Sequence, residues 1–379
     1  MTRRGLLVVL ALLVAIAWRP LLRPVGAGAI IVGGIYSSAL WERNLAAYVT
    51  PAPRVRDATE TINAHPIRVT WWAPGWGDRH PAMMLVNGAT SLGNDDPETR
   101  RLSEALARAG YFVMLPEFPF LKAGTLERDA TAYIDDAFRV MSERPETRKM
   151  PRGAFGFSVG GGMLLAAAAR SGALQHAAYV GALGAYFDLD TYLASVLSRT
   201  QHRHGALEPW DAHEEVRLKL PIAAAEALAD PADRAVVTEA LRASGGRLAG
   251  VAPNGLGSEA VSLWNALVAT EYEVALARVR ALPPTLRDVF ARLSPSTRWA
   301  DIGAPVFWLH DVGDRFEPVS EAETALATPH GAPTHIQRTA LLSHAAALGE
   351  GARAKGLDFW IPELIGLLSF ATETLAHAG

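Results

Sequence analysis

Residues 153–170 read Gly-Ala-Phe-Gly-Phe-Ser-Val-Gly-Gly-Gly-Met-Leu-Leu-Ala-Ala-Ala-Ala-Arg, an apolar strand that becomes an Ala/Leu helix with a single serine at the joint. Few folds accept such a turn. Passing from strand to helix within one residue strains the backbone, and side chains beside the joint would strike the neighbouring elements. Gly156 and Gly160, two residues to either side of Ser158, meet that steric demand. The arrangement lifts a serine hydroxyl above the carboxyl edge of a parallel sheet, at the positive end of the helix that follows.

The flanking sequence fits a sheet of this kind. Apolar strands are expected at 67–72, 83–86, 111–115, 153–157, 178–183, 305–310 and 335–341. Helices are expected from Asp96-Pro97 to Gly110, over 126–141, over 159–170, near 320–327 and over 359–375. Apolar strands alternating with amphipathic helices predict an α/β fold with a mostly parallel sheet covered on both faces. Between 188 and 300 the alternation stops. That stretch reads as helical, broken at Pro221, Gly245-Gly246, Pro253-Asn254-Gly255 and Pro283-Pro284. The expected organisation is an N-terminal hydrophobic membrane segment over 1–50, a core over 51–187, a helical cap insertion over 188–300, and the rest of the core over 301–379.

The N-terminus supports the membrane assignment. Arg3-Arg4 precedes an uncharged run from Gly5 to Trp18, and a second uncharged stretch follows from Pro24 to Trp41. Arg19 and Arg23 between them can snorkel to an interface, where Trp18 and Trp41 would also sit. A retained anchor in a bacterial envelope is the favoured reading. A cleaved signal peptide followed by secretion is the alternative. The second stretch could be another span, an interfacial segment or a buried element. A net charge of -3 gives no reason to expect a nucleic-acid partner, and the absence of cysteine excludes disulfides and thiolate chemistry.

A serine hydroxyl needs a base, and the base needs an orienting carboxylate. Two later loops offer them, each beyond the end of a strand: His310-Asp-Val-Gly-Asp314-Arg-Phe-Glu-Pro318 and Leu342-Ser-His344. The chain order Ser158, Asp314, His344 is that of a nucleophile-elbow hydrolase. His202, His204, Asp211, His213, Glu214 and Glu215 form a second polar group, but without a recognised metal-ligand spacing, and a solvated face is the simpler reading.

With these motifs in place, residues 60–379 resemble the α/β-hydrolase superfamily, in particular its dienelactone-hydrolase-like and esterase-like members. The segment Pro305–Pro318 is similar to the family's acid-bearing segment, with Asp311 where glycine is usual, so the acid role passes to Asp314. Asn87-Gly88-Ala89 stands where the family's oxyanion loop usually reads His-Gly-x. The resemblance implies an oxyanion hole formed by the Ala89 and Val159 amides, with Ser158, Asp314 and His344 as the catalytic group. It implies a serine hydrolase that cleaves a small-molecule or lipidic carboxylic ester, with no cofactor and no metal. Acyl transfer, thioester cleavage or peptide hydrolysis by the same residues is the alternative, as is a non-catalytic, membrane-tethered binding module.

Overall fold

The computed structural model describes residues 23–40, 44–170, 172–344, 346, 348–349 and 352–377. In chain order the elements begin with helix α1 (residues 23–40), strands β1 (Arg54–Ile62), β2 (His65–Ala73) and β3 (Ala82–Val86), and helix α2 (Pro97–Arg108). Then come β4 (Phe112–Pro116), α3 (Pro119–Ala123), α4 (Ala130–Glu143), β5 (Arg152–Phe157), α5 (Ser158–Ala168) and β6 (Tyr179–Leu183). The region that follows holds α6 (Leu189–Ser198), β7 (Thr200–Arg203), β8 (Ala206–Pro209), α7 (Glu214–Glu226), α8 (Pro231–Ala243), α9 (Ser258–Leu267), α10 (Tyr272–Arg280) and α11 (Pro284–Leu293). The chain returns to the sheet through β9 (Val306–Asp311), α12 (Val319–Ala327), β10 (Thr334–Thr339) and α13 (Leu357–Ala376).

Eight strands form one sheet in the order β1-β2-β4-β3-β5-β6-β9-β10. From β4 to β10 all neighbours are parallel, and only β2 runs against the strands on either side of it. The central strands β3, β4 and β6 are buried along their whole length. Both faces are covered, as their continuous apolar runs require. One face packs against α4, α5 and the 188–300 region, the other against α1, α2 and α13.

The edge strand β1 has no counterpart among the expected elements. Its sequence, RVRDATETI, is mostly exposed and polar, as suits an edge strand, and so gives no apolar run to read. Within 188–300, β7 and β8 form a hairpin in a stretch that reads as helical. Its turn is His204-Gly205, both at positive φ as a tight hairpin turn demands. Pro221 does not break a helix but lies inside α7. A proline there cannot bond back to the Arg217 carbonyl, and Gly246 lies against that carbonyl so closely that a Cβ would come within 2.3 Å of it.

Of the N-terminal expectations, the structure bears only on the second stretch, where the buried-element alternative is found. Residues 5–18 and Trp41 lie outside the described residues. Among the described residues no helix is long and apolar enough to cross a membrane. The stretch from Pro24 to Leu40 instead forms most of α1, which packs between α2 and α13. Gly28 abuts Thr372 and Leu368, Gly34 abuts Ala105, and Tyr36 meets Trp360 edge-on at 6.1 Å. Gly28 and Gly34 thus let α1 approach α13 and α2 closely, whereas a Cβ at Gly26 or Gly33 would meet nothing within 4 Å.

Glu321 joins the sheet domain to the root of the 188–300 region. The buried carboxylate accepts the Phe187 and Asp188 amides at 2.8 and 2.9 Å and the Thr191 hydroxyl at 2.7 Å. Burial raises its pKa to about 7. Replacing it with alanine leaves two amides without partners. The Glu321→Ala variant is therefore expected to lose about 2–4 kcal/mol of stability, read as a lower urea midpoint at unchanged slope.

Candidate active site

The backbone at Ser158 adopts φ +52°, the left-handed region that non-glycine residues avoid. Strain of this kind persists only where the surroundings impose it. Here β5 enters between β3 and β6, and α5 leaves immediately behind the serine. A Cβ at Gly160 would stand 1.9 Å from the Asn87 carbonyl oxygen, and one at Gly156 would stand 2.6 Å from the Gly161 Cα. Both glycines therefore serve close packing, not backbone freedom.

The three candidate catalytic residues converge on one cavity. The His344 Nδ1–H donates to Asp314 Oδ2 at 2.8 Å, and His344 stays partly open, with 13% of its side chain exposed. His344 also has positive φ, and its amide donates to Asp311 Oδ2 at 3.3 Å. Asp311, the residue in place of the usual glycine, thus anchors the loop that carries the imidazole. Asp314 is fully buried, and its Oδ1 accepts the amides of Phe316 and Glu317 at 2.7 and 3.1 Å. Burial alone would raise its pKa, but the neighbouring His344 and His310 and the Phe316 amide pull it below the usual carboxylate range.

The acid loop, residues 311–318, is held from below and above. Buried His310 accepts from the Trp308 indole on Nδ1 at 3.2 Å, which leaves Nε2 to donate to the Glu317 carbonyl at 3.1 Å. Burial lowers its pKa, so the ring is neutral. From the 188–300 region, the Trp210 indole donates to the Asp314 carbonyl at 2.7 Å, and the Tyr192 hydroxyl to the Phe316 carbonyl at 2.9 Å. Phe316 stacks between the rings of His344 and His213.

Glu317 is the functional residue that sequence reasoning passed over. Its buried carboxyl accepts the Ser158 hydroxyl on Oε1 at 2.8 Å. Its Oε2 lies 3.2 Å from His344 Nδ1, though that nitrogen directs its hydrogen bond to Asp314. Burial pushes the Glu317 pKa up to about 8. Burial lowers that of His344, but Asp314 and Glu317 outweigh this and hold it at about 9. The nucleophile candidate therefore rests on a neutral carboxylic acid, and the imidazole stands beside two acids. Its available signal was position: Glu317 lies three residues beyond Asp314 and just before the Pro318 that starts α12.

Asp314, Glu317 and His344 also form the group whose donor atoms lie close enough to suggest a metal. Donors around a zinc ion sit roughly 3.4 Å apart, given bonds of about 2.1 Å in a tetrahedral arrangement. The 2.8 Å contact between His344 and Asp314 is instead that of a hydrogen bond. The other polar group disperses. Asp211 pairs with Arg315, His204 with Glu208, and His213 caps α7.

Ala89 and Val159 line the same cavity as Ser158 and His344. Gly88 lies so close to the nucleophile that a Cβ there would meet the Ser158 Cβ at 3.0 Å. Asn87, in place of the usual histidine, is buried and donates to the Gly93 carbonyl at 3.1 Å, tying the 87–90 loop to the segment before α2.

Solved structures with this arrangement of strands include the acylaminoacyl peptidase of Pyrococcus horikoshii. It superposes with a TM-score of 0.50 at 12% identity, over 90% of this chain and 43% of the peptidase. The chain has the α/β-hydrolase fold. It spans less than half the length of that peptidase. A 2,6-dihydroxy-pseudo-oxynicotine hydrolase superposes at 0.49 with 15% identity, over 94% of this chain and 81% of its own. A dienelactone hydrolase from Anabaena variabilis does so at 0.44 with 13% identity, over 86% and 99%. No protein-family model matches the sequence, and no curated protein does. In terms of the α/β-hydrolase fold, Ser158 occupies the strand-to-helix elbow, Asp314 follows the strand one place beyond β6, and His344 follows the last strand.

Proposed function

We propose that this chain is a serine hydrolase that cleaves a carboxylic ester. The observation that carries the reading is the strained Ser158 lining a cavity that also exposes an imidazole hydrogen-bonded to a buried carboxylate. In the reaction, Ser158 Oγ leaves Glu317 and attacks the acyl carbonyl carbon while His344 takes its proton. The Ala89 and Val159 amides stabilise the oxyanion. The C–O bond to the alcohol breaks, and His344 returns the proton to the departing alkoxide. Water then attacks the acyl-serine, His344 again relays the proton, and the carboxylic acid leaves with Ser158 restored. Asp314 holds the imidazole with its Nδ1–H inward and stabilises the imidazolium.

Labelling by a fluorophosphonate probe tests the reading directly. Wild type is expected to label, and Ser158→Ala and His344→Ala are not. A folded wild type that stays unlabelled would sink the proposal in favour of a binding module. Competing alcohol and water acceptors would then separate hydrolysis from acyl transfer.

The pH profile carries a second test. A general base must be neutral, so kcat/KM for a short ester is expected to rise with pH through neutrality and level off near pH 9, the value to which the two acids hold His344. Glu317 ionises near pH 8 and, once charged, favours the imidazolium. Glu317→Gln removes that charge, lowers the His344 pKa and moves the rising limb to lower pH. An unshifted limb would remove Glu317 from the reaction.

The uncharged run from Gly5 to Trp18, behind Arg3-Arg4, supports attachment of the enzyme to a membrane. Flotation of the full chain with liposomes, compared with a form lacking residues 1–22, checks this. Equal recovery of the two forms would refute it.

A further inference from the structure

We infer that the cavity at Ser158 is an acyl-chain site, and that the ester cleaved here carries a long, extended acyl group whose tail runs between α1 and α13. The inference rests on the serine hydrolase reading and names its substrate class. The cavity measures about 570 Å³, enough for a lipid-sized acid portion and far more than an acetyl group needs. It is one continuous space. Phe157 and Leu342, close in sequence to Ser158 and His344, carry its lining from the catalytic group to the sheet face beneath α1 and α13.

The two ends of this space differ in chemistry. Its charged lining residues sit at the start of α2, on α7, or in the catalytic group itself. The arm toward the chain termini has none. There Phe155, Leu183 and Leu309 form the floor, Ile31 and Ile35 of α1 one wall, and Phe370 of α13 the other. Apart from the Tyr36 hydroxyl and Thr374, the arm is lined by hydrocarbon, and a space of this kind gains by taking up an apolar chain. An acyl carbonyl placed at Ser158 can direct its chain into the arm, which is free of charge, whereas the α7 side mixes the apolar Val216, Leu220 and Ala223 with the charged Glu215 and Lys219.

The test uses the full chain and p-nitrophenyl esters from acetate to palmitate. Expected is a rise in kcat/KM of about fourfold for each methylene that enters the arm, the fold-change matching burial of one CH₂, followed by a plateau once the arm is full. Ile35→Trp and Ala371→Trp narrow the arm from opposite walls. Each is expected to lower the ratio of decanoate to acetate kcat/KM by at least tenfold. Because the two substitutions lie on separate helices, failure of one to fold leaves the other available, and fluorophosphonate labelling of Ser158 confirms that the variant measured is assembled. A flat chain-length profile in a labelled wild type would overturn the acyl site and leave the hydrolase reading standing. So would an unchanged ratio in a labelled tryptophan variant. A wild type that neither labels nor cleaves any ester would overturn both.

Discussion

Ser158→Ala is expected to slow ester hydrolysis by about six orders of magnitude, the loss typical when a catalytic serine is removed and only binding and oxyanion stabilisation remain. The fold should tolerate the change. Among the described residues the serine side chain hydrogen-bonds to Glu317, and an alanine leaves that acid neutral at the pH where it already holds its proton. Alanine inherits the same φ of +52°, so strain at the elbow is not relieved and stability should change little. Burst kinetics with a p-nitrophenyl ester check this expectation. Wild type should release one equivalent rapidly, and the variant none. A variant that kept more than about one-thousandth of the wild-type rate would point to another nucleophile.

Asp314→Asn should cost about four orders of magnitude in kcat, the size of effect seen when the acid of such a triad becomes an amide. The reason lies in the pattern of hydrogen bonds. Two backbone amides, of Phe316 and Glu317, donate to Oδ1, which fixes that atom as the acceptor. The asparagine oxygen must stay there, so its NH₂ group turns to His344. Imidazole Nδ1 then has to accept, the ring proton moves to Nε2, and the nitrogen needed as a base is blocked. Nearly unchanged binding of a non-hydrolysable ester analogue would separate this loss from a collapse of the site. If Asp314→Asn retained wild-type kcat, Asp314 would not be the orienting acid, and Glu317, 3.2 Å from the same nitrogen, would be the one to examine next.

The catalytic candidates could be read in the sequence because each sits where a strand ends, and strand ends are marked by apolar runs that stop at glycine, proline or a charge. Ser158 and Asp314 follow such runs, and His344 follows the sparser, largely polar strand of residues 335–341. Elements without that mark escaped. β1 is mostly polar because one edge of a sheet faces water, and the β7–β8 hairpin is only four residues on each side, with His-Gly as its whole signal. Beyond its position near Asp314, the placement of Glu317 was hidden for a different reason. Its side chain enters the site from a loop whose course is set by Trp210, Tyr192 and His310, none of them near it in sequence except the last. The role of Asp311 was hidden likewise, since its partner is the amide of a residue on the next loop. For α1 the sequence showed apolarity but not what it served. The spacing of Ala27, Gly28 and Ile31 suits a helix pressed against others, and the same residues read equally well as lipid-facing.

The place of α1 bears on when this protein can become active. The cavity beside Ser158 is walled in part by α1 and α13, which lie far apart in the sequence. Contacts so distant in sequence must pay the full entropy of closing the loop between them, and they form late. On a ribosome the elbow, the sheet centre and the acid loop can assemble in turn, yet the apolar arm has only one wall until α13 emerges. A growing chain would therefore carry the strained elbow before the space beside it has both of its walls, and that space would be complete only once α13 has been made.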